Sequence, residues 1–351
     1  MIYVRDLALE LLRQGHFPIV FSTMSGDVSD SLRHAGVVVT DSLDRIGEPP
    51  DIIHGHHYGP TTFAIEKWPS APAIYVCHDH TSLHDRTPVH PSIRSYFGVS
   101  RICVERLVRD GAPAHRTGLL LNFVDLARFR PRADLPDRPR RALVFSNYAR
   151  QGTQLPAVTE ACRRAGIELD VIGAGVDRVD TQPEQILGQY DIVFAKAKAA
   201  MEAMAVGAAV VLCDYAGVGP LVTSANFHEL RPLNFGFEAL REPLEPEPLL
   251  QEIDRYDSRD AAEVRDLIRS EAGLTTAVEG LLAIYRRTIA ERVIVPAETK
   301  ALDWGLRDRL FFRLSWRWGA MSATQRRAIM ALPGTRMIRR WLQRLLGSGG
   351  T

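Results

Sequence analysis

Glu202 is the one carboxylate in the otherwise apolar run Ala199-Ala-Met-Glu-Ala-Met-Ala-Val-Gly207. Burying a carboxylate is costly unless something hydrogen-bonds it. A ligand with paired hydroxyls, such as a ribose, supplies two donors. The alternative is an i,i+4 ion pair with Lys198 on a solvated helix face, although Lys-before-Glu is the weaker order and the flanking Ala and Met disfavour a solvated face. Histidines form a second set: His54, His56 and His57 after one strand, His78, His80 and His84 after another. A neutral imidazole can donate to a sugar hydroxyl or orient an incoming nucleophile. Imidazoles two apart on a strand share a face, so His54, His56 and His78 could instead ligate the metal of a hydrolase. Against this, only His228 follows residue 115, which leaves later strand ends short of ligands. Gly173-Ala-Gly175 lacks a third glycine at the spacing of a dinucleotide fingerprint, and no G-x-S-x-G or Walker motif occurs.

These residues need strands and helices to place them. Residues 190–194 read as a buried strand and 198–206 as a short helix closed by Gly207. Residues 209–213 read as a second buried strand, and Gly217-Val218-Gly219-Pro220 as a backbone-accessible loop. Upstream, 3–13 is a helix closed by Gly15, and 18–22, 37–40 and 52–54 are strands, the last leading into the loop Gly55-His-His-Tyr-Gly59. Further strands are expected at 73–77, 96–100 and 119–121, with a helix from about 102 to 110. Proline and charge mark 131–141 as a linker. The pattern then repeats with strand 142–146, helix 155–165 and strand 168–172, and 249–256 and 261–285 are mostly helical. Strands separated by helical patterns of this length argue for parallel sheets, here twice over. The fold class is α/β: two doubly wound, Rossmann-like domains with a cleft between them. Both histidine groups fall at C-terminal strand ends, where ligands bind in such sheets.

With 351 residues, two domains are the default. The 46% hydrophobic fraction describes a globular protein, and a net charge of +1 gives no global field for nucleic acid. Charge is unevenly placed: residues 301–351 hold ten Arg and two Asp, a balance of +8 that leaves −7 elsewhere. Cys77, Cys103, Cys162 and Cys213 are scattered without a C-x-x-C pair and read as buried free thiols of a reducing compartment. The charged first helix is not a signal peptide, and no apolar run nears the roughly 20 residues of a membrane span. A cytoplasmic location follows, with peripheral contact to the inner face of a membrane as an option.

Several short motifs in order carry a resemblance: Asp51-Ile-Ile-His-Gly-His56, Val76-Cys-His78, Val99-Ser100 with its helix, Asn122-Phe-Val-Asp125 with Phe129, Glu202-Ala-Met-Ala-Val-Gly207, and the loop ending at Pro220. Over residues 1–290 the chain resembles retaining nucleotide-sugar glycosyltransferases of the GT-B fold, the group with bacterial mannosyl- and glucosyltransferases. The resemblance implies an N-terminal acceptor-side domain (1–130), the linker (131–141), a nucleotide-sugar-binding domain (142–290) and a basic helical extension (291–351). It implies transfer of a sugar, with retention and without a metal or cofactor, from a nucleotide-diphosphate sugar to a glycan or lipid-linked acceptor, as in cell-envelope polysaccharide synthesis.

The resemblance also distributes roles. Glu202 takes the ribose hydroxyls. Two negative charges develop on the leaving diphosphate, for which the family uses an Arg and a Lys after the first strand of the second domain. This chain has Ser146-Asn-Tyr-Ala-Arg-Gln-Gly152, so Arg150 is the phosphate residue, Lys196 supplies the second charge, and loop amides at Gly217 and Gly219 complete the donor set. His78 takes the catalytic position, and His56 and His57 face the acceptor. The family has another glutamate eight residues before Glu202, where this chain has Phe194. A non-catalytic GT-B-like binding subunit is therefore the second reading.

Two expectations concern the ends. Residues 306–346 mix arginines with Trp316, Trp318, Trp341, Phe311 and Phe312; amphipathic helices of that kind suit an anionic membrane surface, or pack back on the first domain. At the start, the first element is a helix, whereas the strand order 3-2-1-4-5 puts a first strand at the centre of the sheet. The expectation is a natural gene that begins upstream of Met1, so that this sequence is N-terminally truncated and its first sheet interrupted.

Overall fold

The computed structural model describes residues 2–22 and 26–291. The basic segment 306–346 lies outside the described residues. Contacts divide the chain into two compact units. Among described residues the first unit holds 2–99, 103–120 and 281–291, and the second holds 100–102 and 121–280. The proline-rich segment 131–141 is thus part of the second unit, where Arg132 bonds Tyr190 O and pairs with Asp191 at 3.2 Å.

The first unit opens with α1 (Ile2–Arg13), β1 (Ile19–Phe21), α2 (Asp27–His34) and β2 (Val38–Thr40). It continues through β3 (Ile53–Gly55), α3 (Tyr58–Lys67), β4 (Ala73–Cys77), β5 (Ile93–Gly98), α4 (Arg101–Arg109) and β6 (Thr117–Leu119). All pairings are parallel, but the strands form two sheets, β1-β2 and β3-β4-β5-β6. Among the described residues β1 and β2 pair only with each other. The larger sheet is the unit's firm part: every residue of β4 is buried. The smaller piece rests on a cluster of Ala8, Leu32 and Val37, with Val20 and Val39 partly covered.

The structure adds two helices to the sequence reading. Helix α2 is short and polar, with only Ser29 and Leu32 buried. Helix α3 occupies part of the expected loop after β3; its buried face mixes Thr61 and Thr62 with Tyr58, Ala64 and Ile65, so the apolar stripe is interrupted. Thr62 Oγ1 donates to Tyr58 O at 2.6 Å, which lets the hydroxyl be buried.

The second unit carries β7 (Arg141–Phe145), α5 (Leu155–Ala165), β8 (Glu168–Ile172), β9 (Ile192–Ala195), α6 (Ala197–Val206), β10 (Ala209–Asp214) and β11 (Gly217–Leu221). Helices α7 (Phe227–Leu230), α8 (Pro246–Asp254), α9 (Ser258–Glu271) and α10 (Leu274–Ala290) follow; α10 passes into the first unit at Leu281. Its sheet has the order β11-β10-β9-β7-β8, parallel except for β11. The unbroken apolar runs of β9 and β10 are buried on both faces, as parallel strands between helix layers require. On one side lie Ala200, Met201, Met204 and Phe227, on the other Leu155, Val158 and Leu249. The expected helix 261–285 is two helices, because Gly273 pairs with Val124 and breaks the run.

One loop expectation is corrected. Gly217 and Gly219 lie in β11, antiparallel to β10, with Gly217 opposite Asp214. A Cβ on Gly217 would sit 2.7 Å from Glu242 O, and one on Gly219 2.6 Å from Ala239 O. These glycines admit the neighbouring backbone of 239–242, and Val218 N donates to Glu242 O at 3.0 Å. Both glycines thus sit in a strand rather than in an open loop. Pro220 fits because β11 is an edge strand. Among the described residues, no helix is long and apolar enough to cross a membrane.

Candidate functional sites

In the first unit, the strand ends of β3 and β4 bring the predicted histidines together. His56 Nδ1 and His78 Nε2 are 2.9 Å apart, so one ring donates and the other accepts. His54 stacks on His56 at 4.3 Å, and its Nδ1 lies 2.5 Å from the Tyr285 hydroxyl. The ring of Tyr3 packs edgewise on His56 and His78 at 5.3 and 4.9 Å. Burial holds all three imidazoles neutral: His54 is lowered to about 3 and His78 to about 4, and His56 falls well below its ordinary value. The His78 charge adds to the effect on His54, whereas Asp85 opposes the shift of His78. His57 stands apart, half exposed, 3.5 Å from Asp85. Neutral rings that share one hydrogen bond keep a further ring nitrogen each for a hydroxyl. Among the described residues, no group of three or more His, Cys, Asp or Glu side chains is arranged to hold a metal ion.

In the second unit, strand ends converge on Asp214, which is fully buried. Its Oδ1 accepts from Ser146 Oγ and Gln154 Nε2, both at 3.3 Å, and from Tyr215 N at 2.8 Å. Lys196 Nζ lies 3.1 Å from Oδ2, close enough to neutralise it but not aligned as a hydrogen bond. The same ammonium lies 4.3 Å from the Phe237 ring centroid and 5.4 Å from that of Tyr148. Arg150 is exposed on the loop after β7, its N donating to Thr153 Oγ1 at 2.8 Å. Gly173 and Gly175 explain themselves here: a Cβ would lie 1.9 Å from Ser146 O or 2.3 Å from Ala149 O. They press the loop after β8 against the loop of Arg150.

Glu202 is 6% exposed on α6. Lys198 Nζ lies 3.5 Å from its carboxylate, so the ion pair weighed in the sequence exists, but on a buried face rather than a solvated one. Lys198 also donates to Phe123 O at 3.1 Å, and Arg231 donates to Asn122 O at 2.7 Å. Both cations thereby pin the Asn122-Phe-Val-Asp125 segment. Burial lowers Arg231 to about 10, with Glu271 opposing. Phe194 is 1% exposed and sits in the core, so no polar group from that position reaches a site.

Sequence reasoning missed Asp214, Tyr148, Tyr215 and the turn Asn234-Phe-Gly-Phe237. A charge closing the wholly apolar strand β10 was a legible signal for Asp214. The turn carries none in periodicity, yet Asn234 and Phe235 have φ of 56° and 50°, and Phe235 O accepts from Ala197 N at 2.8 Å. Ala197 itself has φ 52°. Non-glycine residues in this region are uncommon and concentrate where surrounding structure imposes them.

No family model matches the sequence, and no curated protein does. Solved structures resemble it. A glycosyltransferase from Rickettsia africae ESF-5 is 14% identical, over 82% of this chain and 94% of that one, with a TM-score of 0.58. Anabaena HepE, solved with UDP and glucose, is 14% identical over 81% and 95%, with a TM-score of 0.57. Sucrose-phosphate synthase from Thermosynechococcus elongatus is 15% identical over 82% and 93%, with a TM-score of 0.57. At these identities the likeness is one of fold. The chain has the α/β fold of GT-B glycosyltransferases.

Proposed function

We propose that the protein is a glycosyltransferase that takes a sugar from a nucleotide-diphosphate donor, with retention, and passes it to a hydroxyl acceptor without a metal. The observation that carries this reading is Glu202, a buried carboxylate on α6 behind the strand ends that hold Lys196. It suits a ribose diol. Lys196 and Arg150 would neutralise charge developing on the leaving diphosphate, because preorganised positive groups act where charge appears in the transition state. Acceptor recognition is assigned to the first unit, with His56 and His78 as neutral partners of a hydroxyl, His78 in the catalytic position and His57 at the periphery. The likeness to structures solved with UDP or UDP-glucose supports a uridine nucleotide as the first donor to try.

A panel of nucleotide sugars screened by thermal shift, followed by release of free nucleotide in the presence of glycan and lipid-linked acceptors, tests the reading. No stabilisation by any member of the panel would overturn it. One observation favours a second reading, a binding subunit without turnover: Phe194 is locked in the core where the resembled family has a glutamate. Nucleotide binding without release across the panel would select that reading. Peripheral attachment of a cytoplasmic enzyme through 306–346 is also proposed; chain truncated after Glu298 should no longer float with anionic vesicles, and equal flotation would refute attachment.

A further inference from the structure

We infer that the ring of Tyr148, backed by Tyr215 and Phe237, is the surface on which the donor's hexose lies. This rests on the nucleotide-sugar reading of the second unit and extends it to how the transferred sugar is held. The three rings form a row: Tyr148 and Tyr215 meet at 5.4 Å, Tyr215 and Phe237 at 5.6 Å, each pair inclined at 64°. They come from three separate places, the loop after β7, the end of β10 and the turn after α7. Tyr148 is 49% exposed, an unusual position for a large ring beside a buried carboxylate and its lysine.

The position of Lys196 decides what lies on the row. Its ammonium is in contact range of the Phe237 and Tyr148 rings. If it holds a donor phosphate, the neighbouring ring meets a group bonded to that phosphate, either the ribose or the sugar. The ribose belongs to Glu202, roughly 9 Å further along the axis of α6 by helix rise. The sugar is left for the aromatic row.

The chemistry agrees. One face of a pyranose is lined with C–H bonds, whose slight positive charge is attracted to the negative face of an aromatic ring. Such a face contact needs no carboxylate, and Phe194 supplies none. The strained turn fixes the row in place: Phe235 O is tied to Ala197 N, next to Lys196, and Phe237 follows two residues later.

Calorimetry separates the possibilities, with UDP and UDP-glucose as probes of wild type, Tyr148→Ala and Tyr148→Phe. Tyr148→Ala should weaken UDP-glucose about tenfold, as loss of one aromatic contact implies, and leave UDP unchanged. Tyr148→Phe should keep both affinities, since the ring and not the hydroxyl makes the contact. Equal weakening of UDP and UDP-glucose would put the ring under the nucleoside and overturn the inference; so would unchanged UDP-glucose binding. A wild-type protein that binds neither probe fails earlier, and overturns the uridine-donor reading together with this one. Because Tyr148 is half exposed, an unchanged melting temperature is expected of both variants.

Discussion

Glu202→Ala should cost donor affinity about a hundredfold while sparing the fold. The wild-type carboxylate is buried, and Lys198 Nζ at 3.5 Å is too distant for a good hydrogen bond. A ribose diol bound there would form two charge-assisted bonds to the carboxylate. Hydrogen bonds to charged groups contribute about 1.5–3 kcal/mol each, so about 3 kcal/mol for the pair is a conservative sum, or about a hundredfold. The stability effect should be small for a separate reason. Lys198 keeps its bond to Phe123 O and its place over that ring at 5.3 Å, so it is not stranded. Alanine also has the best helix propensity. A shift within about 2–4 °C, the equivalent of about 1 kcal/mol in a domain of this size, is expected. Calorimetry with UDP and 2′-deoxy-UDP is the assay. Wild type should prefer UDP, and the variant should scarcely distinguish the two. Unchanged UDP affinity in Glu202→Ala would remove the residue from the site; an equal 2′-deoxy penalty in both proteins would show that another group reads the ribose.

The remaining predictions concern buried charge. His54, His56 and His78 have folded-state values depressed below the unfolded value of about 6.5, so folding favours the neutral rings. Their stabilising contribution is complete above pH 6.5 and is lost as pH falls towards 4 and 3, because the unfolded chain then binds more protons. Each imidazole adds a slope of up to about 1.4 kcal/mol per pH unit; urea unfolding between pH 7.5 and 4.5 should show it, and His78→Gln should flatten it. A flat wild-type profile would contradict the buried cluster. Lys196→Met leaves the Asp214 carboxylate buried without its counter-charge and should cost about 3 kcal/mol in urea unfolding. Adding Asp214→Asn should recover most of the loss, and additive losses would show that the two side chains are not coupled.

Much of the second unit was readable because a parallel strand buried on both faces is a short apolar run, and β7, β8 and β9 fall within two residues of expectation. Gly207 ends α6 as read, with φ 102°. Where glycine and proline stood for something other than a loop, the reading failed, as at Gly217-Val-Gly-Pro220. Helix α3 was missed because two threonines interrupt the apolar residues of its buried face. The burial of Glu202 was legible because a single charge in an apolar helix is a local anomaly. The row of Tyr148, Tyr215 and Phe237 was not, because its meaning arises only when three distant segments meet. The strands of the first unit fall into two separate sheets, β1-β2 and β3-β4-β5-β6, a division that depends on strand pairing and carries no local sequence signal.

That division has a consequence for the first forty residues. Their core is small, and Phe17, Ile19 and Val38 remain 73, 37 and 41% exposed. Unequal anchoring of this kind makes one end of a protein open and close on its own, well below the free energy of global unfolding. A briefly released β1-β2 pair bares the backbone of apolar strands, and such edges recruit like edges from other molecules. Self-association on storage or warming is therefore expected to start from the β1-β2 pair rather than from the fully paired strands of the second unit.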